Sequence, residues 1–365
     1  MSSNCTPIQE TMFETIDLTS VRVVFAVLYS LVWVAAIVGN TLVLYVVSFN
    51  QVSLSVRSVF IGCLAVSDLL MSLTSLPWTA VTIFTREWIF PKPICKLIGV
   101  FQGGSIFVSS FTLTIIALDR CLLIIRPNKE FIGYNRAITI VVGIWVLGYS
   151  LALPLGIFSK AVSFDKICGV FCEEIWPDTD NDSGLISPSR RLYGLSVLLS
   201  QFGIPALISS VCYYLISRVM SSQLERRRGH TLLKESEEKL VSRKTRANRM
   251  MIAMVLGFIF AWMPLNAINL YRDLGSVQNN TWFSTVFALC HVLAMTSAAL
   301  NPVIYSWFNP QFRSAVQYLC NGQRKGVKSK LLNEVHTRLT ETVTDAKVKP
   351  DYTSSDCHQP GDQIL

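Results

Sequence analysis

Seven stretches of about twenty or more mostly apolar residues set the terms for this chain: Val23–Phe49, Val59–Phe84, Ile94–Ile125, Ala137–Phe158, Leu192–Met220, Met250–Leu270 and Trp282–Phe308. At about 1.5 Å rise per residue, each is long enough to cross the roughly 30 Å hydrocarbon core of a bilayer. In lipid a helix satisfies its own backbone groups, so the expectation is an all-α membrane protein. The bundle of seven transmembrane helices occupies 23–308, behind an extracellular amino-terminal segment, 1–22. Only 15% of the 365 residues are charged, which excludes an ordinary soluble domain. The first apolar run follows a polar segment and has no small-residue cleavage site, so it reads as a retained helix and not a signal peptide.

Orientation follows from the bases. With the amino terminus outside, the inner segments hold 22 Lys and Arg against 8 outside, while the acids divide evenly. The positive-inside rule then puts the amino terminus outside. The glycosylation sequons at Asn4, Asn181 and Asn279 all fall on that outer side. The net charge of +8 therefore belongs to inner segments facing anionic lipid, not to a nucleic-acid surface. The third inner loop is the most charged part, with ERRRGH and SRKTRANR flanking KESEEK. Of ten cysteines, this topology leaves Cys5, Cys95, Cys168 and Cys172 in the oxidising outer space, enough for one or two bridges.

Polar residues inside apolar runs are costly and therefore informative. The third run has no acid or base between Lys96 and Asp119, yet ends in the pair Asp119-Arg120 followed by CLLII. That placement marks the pair as a candidate switch. Asp68, in LAVSD of the second run, must face the bundle interior, with Asn40, Ser109 and Asn301 as candidate partners. Pro77 should kink the second helix, and Trp88 of the first outer loop suits an interfacial anchor. The fourth run offers Trp145 and Pro154, and the fifth Pro205 with Tyr213 eight residues on. In the sixth run, Phe258, Trp262 and Pro264 sit in FIFAWMPL, and in the seventh, Asn301, Pro302 and Tyr305 sit in AALNPVIYSWF. A proline beside a bulky ring or an amide is the construction expected of helices that bend between two states. Beyond Phe308, the stretch 309–320 reads as a short amphipathic eighth helix on the membrane surface, with Cys320 placed for palmitoylation. The tail, 321–365, reads as disordered and cytoplasmic.

The set Gly39-Asn40, LAVSD, Cys95, Asp119-Arg120-Cys121, Trp145, Pro205, FAWMP and NPVIY resembles rhodopsin-like G-protein-coupled receptors in order and spacing, from Gly39 to Cys320. The resemblance implies that Arg120 gates the inner face and that Trp262, Asn301, Pro302 and Tyr305 rearrange on activation. It also implies a bridge between Cys95 and Cys172, leaving Cys168 spare or paired with Cys5. Three departures stand out. Cys121 replaces the usual tyrosine, Ser297 stands where many members have a sodium-site asparagine, and Lys244 stands where some place an acid. The second counts against sodium at Asp68 and Ser109, and the third removes an acid that could hold Arg120. No other metal and no cofactor is expected.

Amine receptors carry an aspartate where this chain has Gln102, and opsins a lysine where it has Met295. What remains is similar to neuropeptide Y and neuropeptide F receptors, through CEEIWP after the outer-loop cysteine and through Thr79, Gln102, Gln201, Asn269, Asp273 and His291. That similarity implies a peptide ligand with an amidated carboxyl terminus, of the RF- or RY-amide type. Its implied partners are a heterotrimeric G protein of the inhibitory class, arrestin and membrane lipids. Independently of any family, Trp262, Asn266, Asn269 and Asp273 share one face of the sixth helix, by offsets of 4, 7 and 11. A receptor for another peptide class on the same fold is the nearest alternative. Against a transporter stand the absence of an internal repeat and of several buried charges along a path. Against a membrane enzyme stands the absence of a nucleophile–base pattern or metal-ligand cluster in the sequence.

Overall fold

The computed structural model describes residues 5–49, 55–126, 131–164, 166–178, 187–227, 234–274, 281–308 and 310–320. Residues through Arg313 form one compact unit, and Ser314–Leu365 a second, described as far as Cys320. The sequons at Asn4, Asn181 and Asn279 and the tail beyond Cys320 lie outside the described residues, as do the side chains of Lys244 and Cys320.

A four-residue helix α1 (Ile8–Thr11) and a 3-10 turn (Thr15–Asp17) precede the bundle. The first crossing is α2 (Thr19–Phe49); the second is α3 (Val56–Thr74) continued by α4 (Leu76–Thr85). The third is α5 (Lys92–Ile125) and the fourth α6 (Tyr134–Phe158). The fifth runs as α7 (Pro188–Leu198), a π turn (Leu199–Gly203) and α8 (Ile204–Arg227). The sixth lies in α9 (Lys234–Asp273), the seventh is α10 (Phe283–Phe308), and α11 (Pro310–Cys320) follows. Among the described residues, seven helices are thus long and apolar enough to cross a membrane, with ends within about four residues of the sequence reading. α5 is the axis, packed on α3, α6, α8 and α9 and buried at nearly every position from Gly103 to Ala117.

The prolines explain much of the local architecture, because each removes the N–H that would bond the carbonyl four residues earlier. Pro77 follows a break at Ser75, where α3 gives way to α4, as the kink expectation required. Pro205 leaves the Gln201 carbonyl without its helical donor, and the Ser110 hydroxyl of α5 donates to that oxygen instead. Here the helix widens into the π turn, which sequence reasoning did not foresee. Pro302 likewise frees the Ala298 carbonyl, and Asn40 Nδ2 of α2 donates to it at 2.9 Å. Asn40 is therefore not a partner of Asp68, as expected, but a repair for the proline's missing bond. Its neighbour Gly39 makes the approach feasible, since a Cβ there would meet Pro302 Cγ at 2.8 Å. At the α5–α6 crossing, Gly156 plays the same part, with Val100 Cγ2 only 2.5 Å from where its Cβ would stand.

The outer surface holds what the all-α reading missed, an antiparallel hairpin of β1 (Ser159–Phe164) and β2 (Ile167–Glu174). Cys95–Cys172 joins β2 to the start of α5, as the resemblance implied, and Cys5–Cys168 joins it to the amino-terminal segment. Trp88 is not a lipid-facing anchor. It is buried, its backbone N–H donating to the Val170 carbonyl of β2 at 2.6 Å.

Candidate functional site

A cavity of about 280 Å³ opens at the outer end of the bundle. All six residues expected to bind ligand, Thr79, Gln102, Gln201, Asn269, Asp273 and His291, line it, so five helices converge on one site. Trp262 and Asn266 line it too, completing the predicted face of the sixth helix. Deep in the bundle the Trp262 indole donates to Ser297 Oγ at 3.0 Å, and Asn266 Nδ2 donates to the Trp262 carbonyl at 2.9 Å. Gln201 is buried, swung inward where the π turn adds a residue to its helix. His291 is buried with Nδ1 3.0 Å from the Tyr29 hydroxyl, while its Nε2 has no hydrogen-bond partner among the described residues.

The mouth is ionic. Asp273, with a side chain 11% exposed, lies 3.1 Å from Arg190 Nε and 3.5 Å from Arg272 Nε. Arg190 also reaches Glu174 at 3.7 Å, and Arg191 Nε donates to the Asp273 carbonyl at 2.8 Å. Asp273 thus already faces a guanidinium of its own chain, although its Oδ1 has no aligned hydrogen bond among the described residues. Sequence reasoning missed Arg190, because its pairing joins helix ends 83 residues apart. Its position is set by the start of α7, where Ser187 accepts from the Arg190 N–H and Asp178 accepts from the Ser187 hydroxyl and the Ser189 N–H. Those bonds hold the Asp178 carboxyl down to about 2. Trp176 of CEEIWP packs between Phe158 and Tyr193, with ring centroids at 4.2 and 5.3 Å, and so fixes the end of β2 that carries Glu174.

Below the pocket lies a polar core. Asp68 is 2% exposed and accepts from Asn301 Nδ2 at 2.8 Å and from Ser109 Oγ at 3.4 Å. Ser67 lies 3.1 Å from Ser109 and donates to the Ser105 carbonyl. Two of the three expected Asp68 partners are therefore in place. A sodium ion here would meet a single carboxylate, and Ser297, in place of an asparagine, is engaged by Trp262. Phe258 stands between Trp262 and Phe202, at 6.2 and 5.6 Å.

At the inner end Arg120 Nη2 donates to Asp119 Oδ2 at 2.6 Å, both side chains less than 15% exposed. Met250, Met251 and Met254 of α9 close over this pair together with Arg57. The hydroxyls of Tyr213 and Tyr305 are buried without a hydrogen-bond partner among the described residues. A buried, unbonded hydroxyl is costly, which fits groups that find partners in a second arrangement.

The chain matches the 7 transmembrane receptor (rhodopsin family) pattern over residues 39–305. It is 59% identical to "Neuropeptide receptor 3" of Caenorhabditis elegans, over 99% of each chain. It is 31% identical to "Neuropeptide F receptor" of Drosophila melanogaster, covering 80% of this chain and 61% of that one. With "Neuropeptide Y receptor type 2" of Homo sapiens it shares 30% identity, over 83% of this chain and 78% of that one. Seven membrane-length helices, a family match across most of the sequence and a relative alike from end to end make this chain a member of the rhodopsin family of seven-transmembrane receptors, a multi-pass protein of the plasma membrane and not an enzyme.

Proposed function

We propose that this receptor answers to a neuropeptide with an amidated carboxyl terminus in which an arginine precedes an aromatic residue, and signals through a heterotrimeric G protein of the inhibitory class. The observation that carries the reading is a cavity that is neutral and amide-lined at depth and ionic at its mouth, with Gln102, Gln201 and Asn269 in one part and Asp273 and Glu174, held by Arg190, in the other. Primary amides offer a donor and an acceptor each, suited to a terminal carboxamide rather than a free carboxylate. A partly desolvated carboxylate suits a guanidinium, which it can meet with two parallel bonds. An extended dipeptide spans roughly 7 Å, so one molecule can reach both levels. The names of the worm, fly and human relatives support a peptide ligand.

In this reading the ligand's arginine competes with Arg190 for Asp273, and the free energy of that exchange is available only if the active bundle binds the peptide better than the inactive one. Arg120 then leaves Asp119 as the inner face opens to the G protein, with arrestin as a further partner there. Glycans at Asn4, Asn181 and Asn279, the amphipathic helix at the inner membrane surface and a palmitoyl group on Cys320 complete the topology with the amino terminus outside. The test is guanine-nucleotide exchange in membranes carrying the receptor, challenged with peptides ending in Arg-Phe-amide and Arg-Tyr-amide. Agonist-dependent exchange through the inhibitory G protein is expected. Equal potency of the free-acid peptide would remove the role given to Gln102.

A further inference from the structure

Strand β2 ends in two consecutive glutamates, and successive side chains of a strand point to opposite faces. Glu174 faces the cavity already described. Glu173, with Phe171, faces a second cavity of about 250 Å³, walled by Ile8 of α1, by Glu87 and by Phe283 and Phe287 of α10. Its frame is unusually well fixed for an outer surface. Two disulfides hold β2, Gln9 Nε2 donates to the Thr85 carbonyl at 2.8 Å, and Glu14 accepts from the Ser284 N–H at 2.9 Å.

The charges in this chamber do not balance. Arg86, the one base lining it among the described residues, is 8% exposed and is taken up by Glu14 at 2.6 Å and Asp17 at 2.9 Å, while Arg22 also pairs with Asp17. Those four groups neutralise one another and leave Glu87 and Glu173, neither of which makes an ion pair among the described residues. Lys160 is the cross-strand neighbour of Glu173 yet forms no bridge to it there. The Glu87 carboxylate is accommodated by Gly169, which adopts φ +111° and whose Cβ, were there one, would stand 2.6 Å from Glu87 Oε2. Glu173 is itself exposed on the strand, so its carboxylate is open to a cation brought by a ligand. Phe287 lines both cavities, so the two chambers meet at its ring.

We infer that this second chamber is a binding subsite for a lysine or arginine side chain of the peptide, upstream of the carboxyl-terminal residues held in the first cavity. The inference rests on the peptide-receptor reading. The aliphatic stem of such a residue lies along Phe171, Phe283 and Phe287, and its charged head sits between Glu87 and Glu173, a match of apolar body and cationic tip to the lining. The chamber then sets preference among peptides sharing the same carboxyl end.

The probes are acetylated hexapeptides ending in Arg-Phe-amide, with either lysine or norleucine placed in turn at the third, fourth and fifth residues from the carboxyl end. Nucleotide exchange is measured on the intact receptor and on Glu87→Gln, Glu173→Gln and the double variant, at matched surface density. At one position lysine should be about fivefold more potent than norleucine on the intact receptor, the upper end for charge pairs that stay partly in water. On the double variant that advantage should collapse, with the norleucine peptide unchanged. A lysine advantage that survives the double substitution, or equal potency of lysine and norleucine at every position, overturns the subsite. So does an equal loss for both peptides, which would make the glutamates structural. Silence of every peptide on the intact receptor overturns the peptide reading itself and the subsite with it. If the double variant fails to reach the surface, Glu173→Gln alone carries the comparison.

Discussion

The outer and inner ends of this bundle are built on opposite plans. At the outer end two disulfides, a hairpin, and the Arg86–Glu14–Asp17–Arg22 cluster tie the amino-terminal segment, β2, α4 and α5 into one frame. At the inner end the ion pair is between adjacent residues, Asp119 and Arg120, and two tyrosine hydroxyls have no hydrogen-bond partner among the described residues. An ion pair between neighbours on one helix does not link that helix to another. Under the proposed function, the contrast would let ligand chemistry be read against a fixed wall while the far end moves. Between the two lie proline-loosened helices whose freed carbonyls have been given outside donors, Ser110 for α8 and Asn40 for α10.

The largest effect should come from breaking the outer frame. Cys172→Ser removes the bond between β2 and the axis helix, and surface expression should fall by more than about tenfold, against about threefold or less for Cys168→Ser. Loop length alone does not predict this order. The chain-entropy model gives the two bridges, with separations of 77 and 163 residues, stabilisations within about 1 kcal/mol of each other. What differs is that Cys95 opens the central helix, whereas Cys5 lies in the terminal segment. Flow cytometry of tagged receptors decides it, and equal losses would show that the terminal segment matters as much as the axis.

Next in size is the ionic mouth. Losing one partner of a desolvated pair costs about 2–5 kcal/mol, so Asp273→Ala should weaken an Arg-Phe-amide agonist by at least about tenfold. Arg190→Gln should act in the opposite direction, because it removes the internal competitor at 3.1 Å. A full cycle of Asp273→Ala against arginine-to-citrulline peptides should be non-additive, and additive losses would mean that the two groups never meet.

A smaller effect is expected in the middle of the bundle. Asn40→Ala leaves the Ala298 carbonyl unbonded at the seventh-helix proline, at a cost of about 1–3 kcal/mol. Detergent-solubilised receptor should melt earlier without a change in agonist selectivity, and an unchanged melting temperature would show that water repairs the bond equally well. The smallest effect lies at the inner end. Lys244→Glu should supply an acid for Arg120 and lower basal nucleotide exchange by about twofold, the scale of a partly screened pair. Unchanged or higher basal exchange at equal surface density would count against the weak brake inferred from Lys244.

The course of the chain was legible because lipid punishes unpaired backbone, so each crossing must announce itself as a long apolar run. The pocket was legible through the resemblance at Gln102, Gln201 and His291 and, independently, through the spacing that puts Trp262, Asn266, Asn269 and Asp273 on one helix face. The hairpin was not, because β1 and β2 are short, half-exposed and specified as much by Cys5, Cys95 and Thr6 as by their own alternation. The Arg190–Asp273 pair and the role of Asn40 depend on contacts between residues far apart in sequence, which spacing along one helix does not encode. Asn40 was read as a partner for a buried acid when the stronger demand was a carbonyl stripped of its donor by Pro302.

The asymmetry itself can be measured with two nitroxide pairs and double electron–electron resonance. One pair, at Leu97 and Leu274, spans the outer ends of the third and sixth helices, and the other, at Leu123 and Arg246, spans their inner ends. All four residues are exposed. With an Arg-Phe-amide agonist and G protein bound, the inner distance should lengthen by several ångströms, on the order of one helical turn. The outer distance should stay within about 1 Å, as expected of a pre-organised surface. An outer distance that changes as much as the inner one would contradict the account, because the ligand would then be reshaping the frame it is proposed to read.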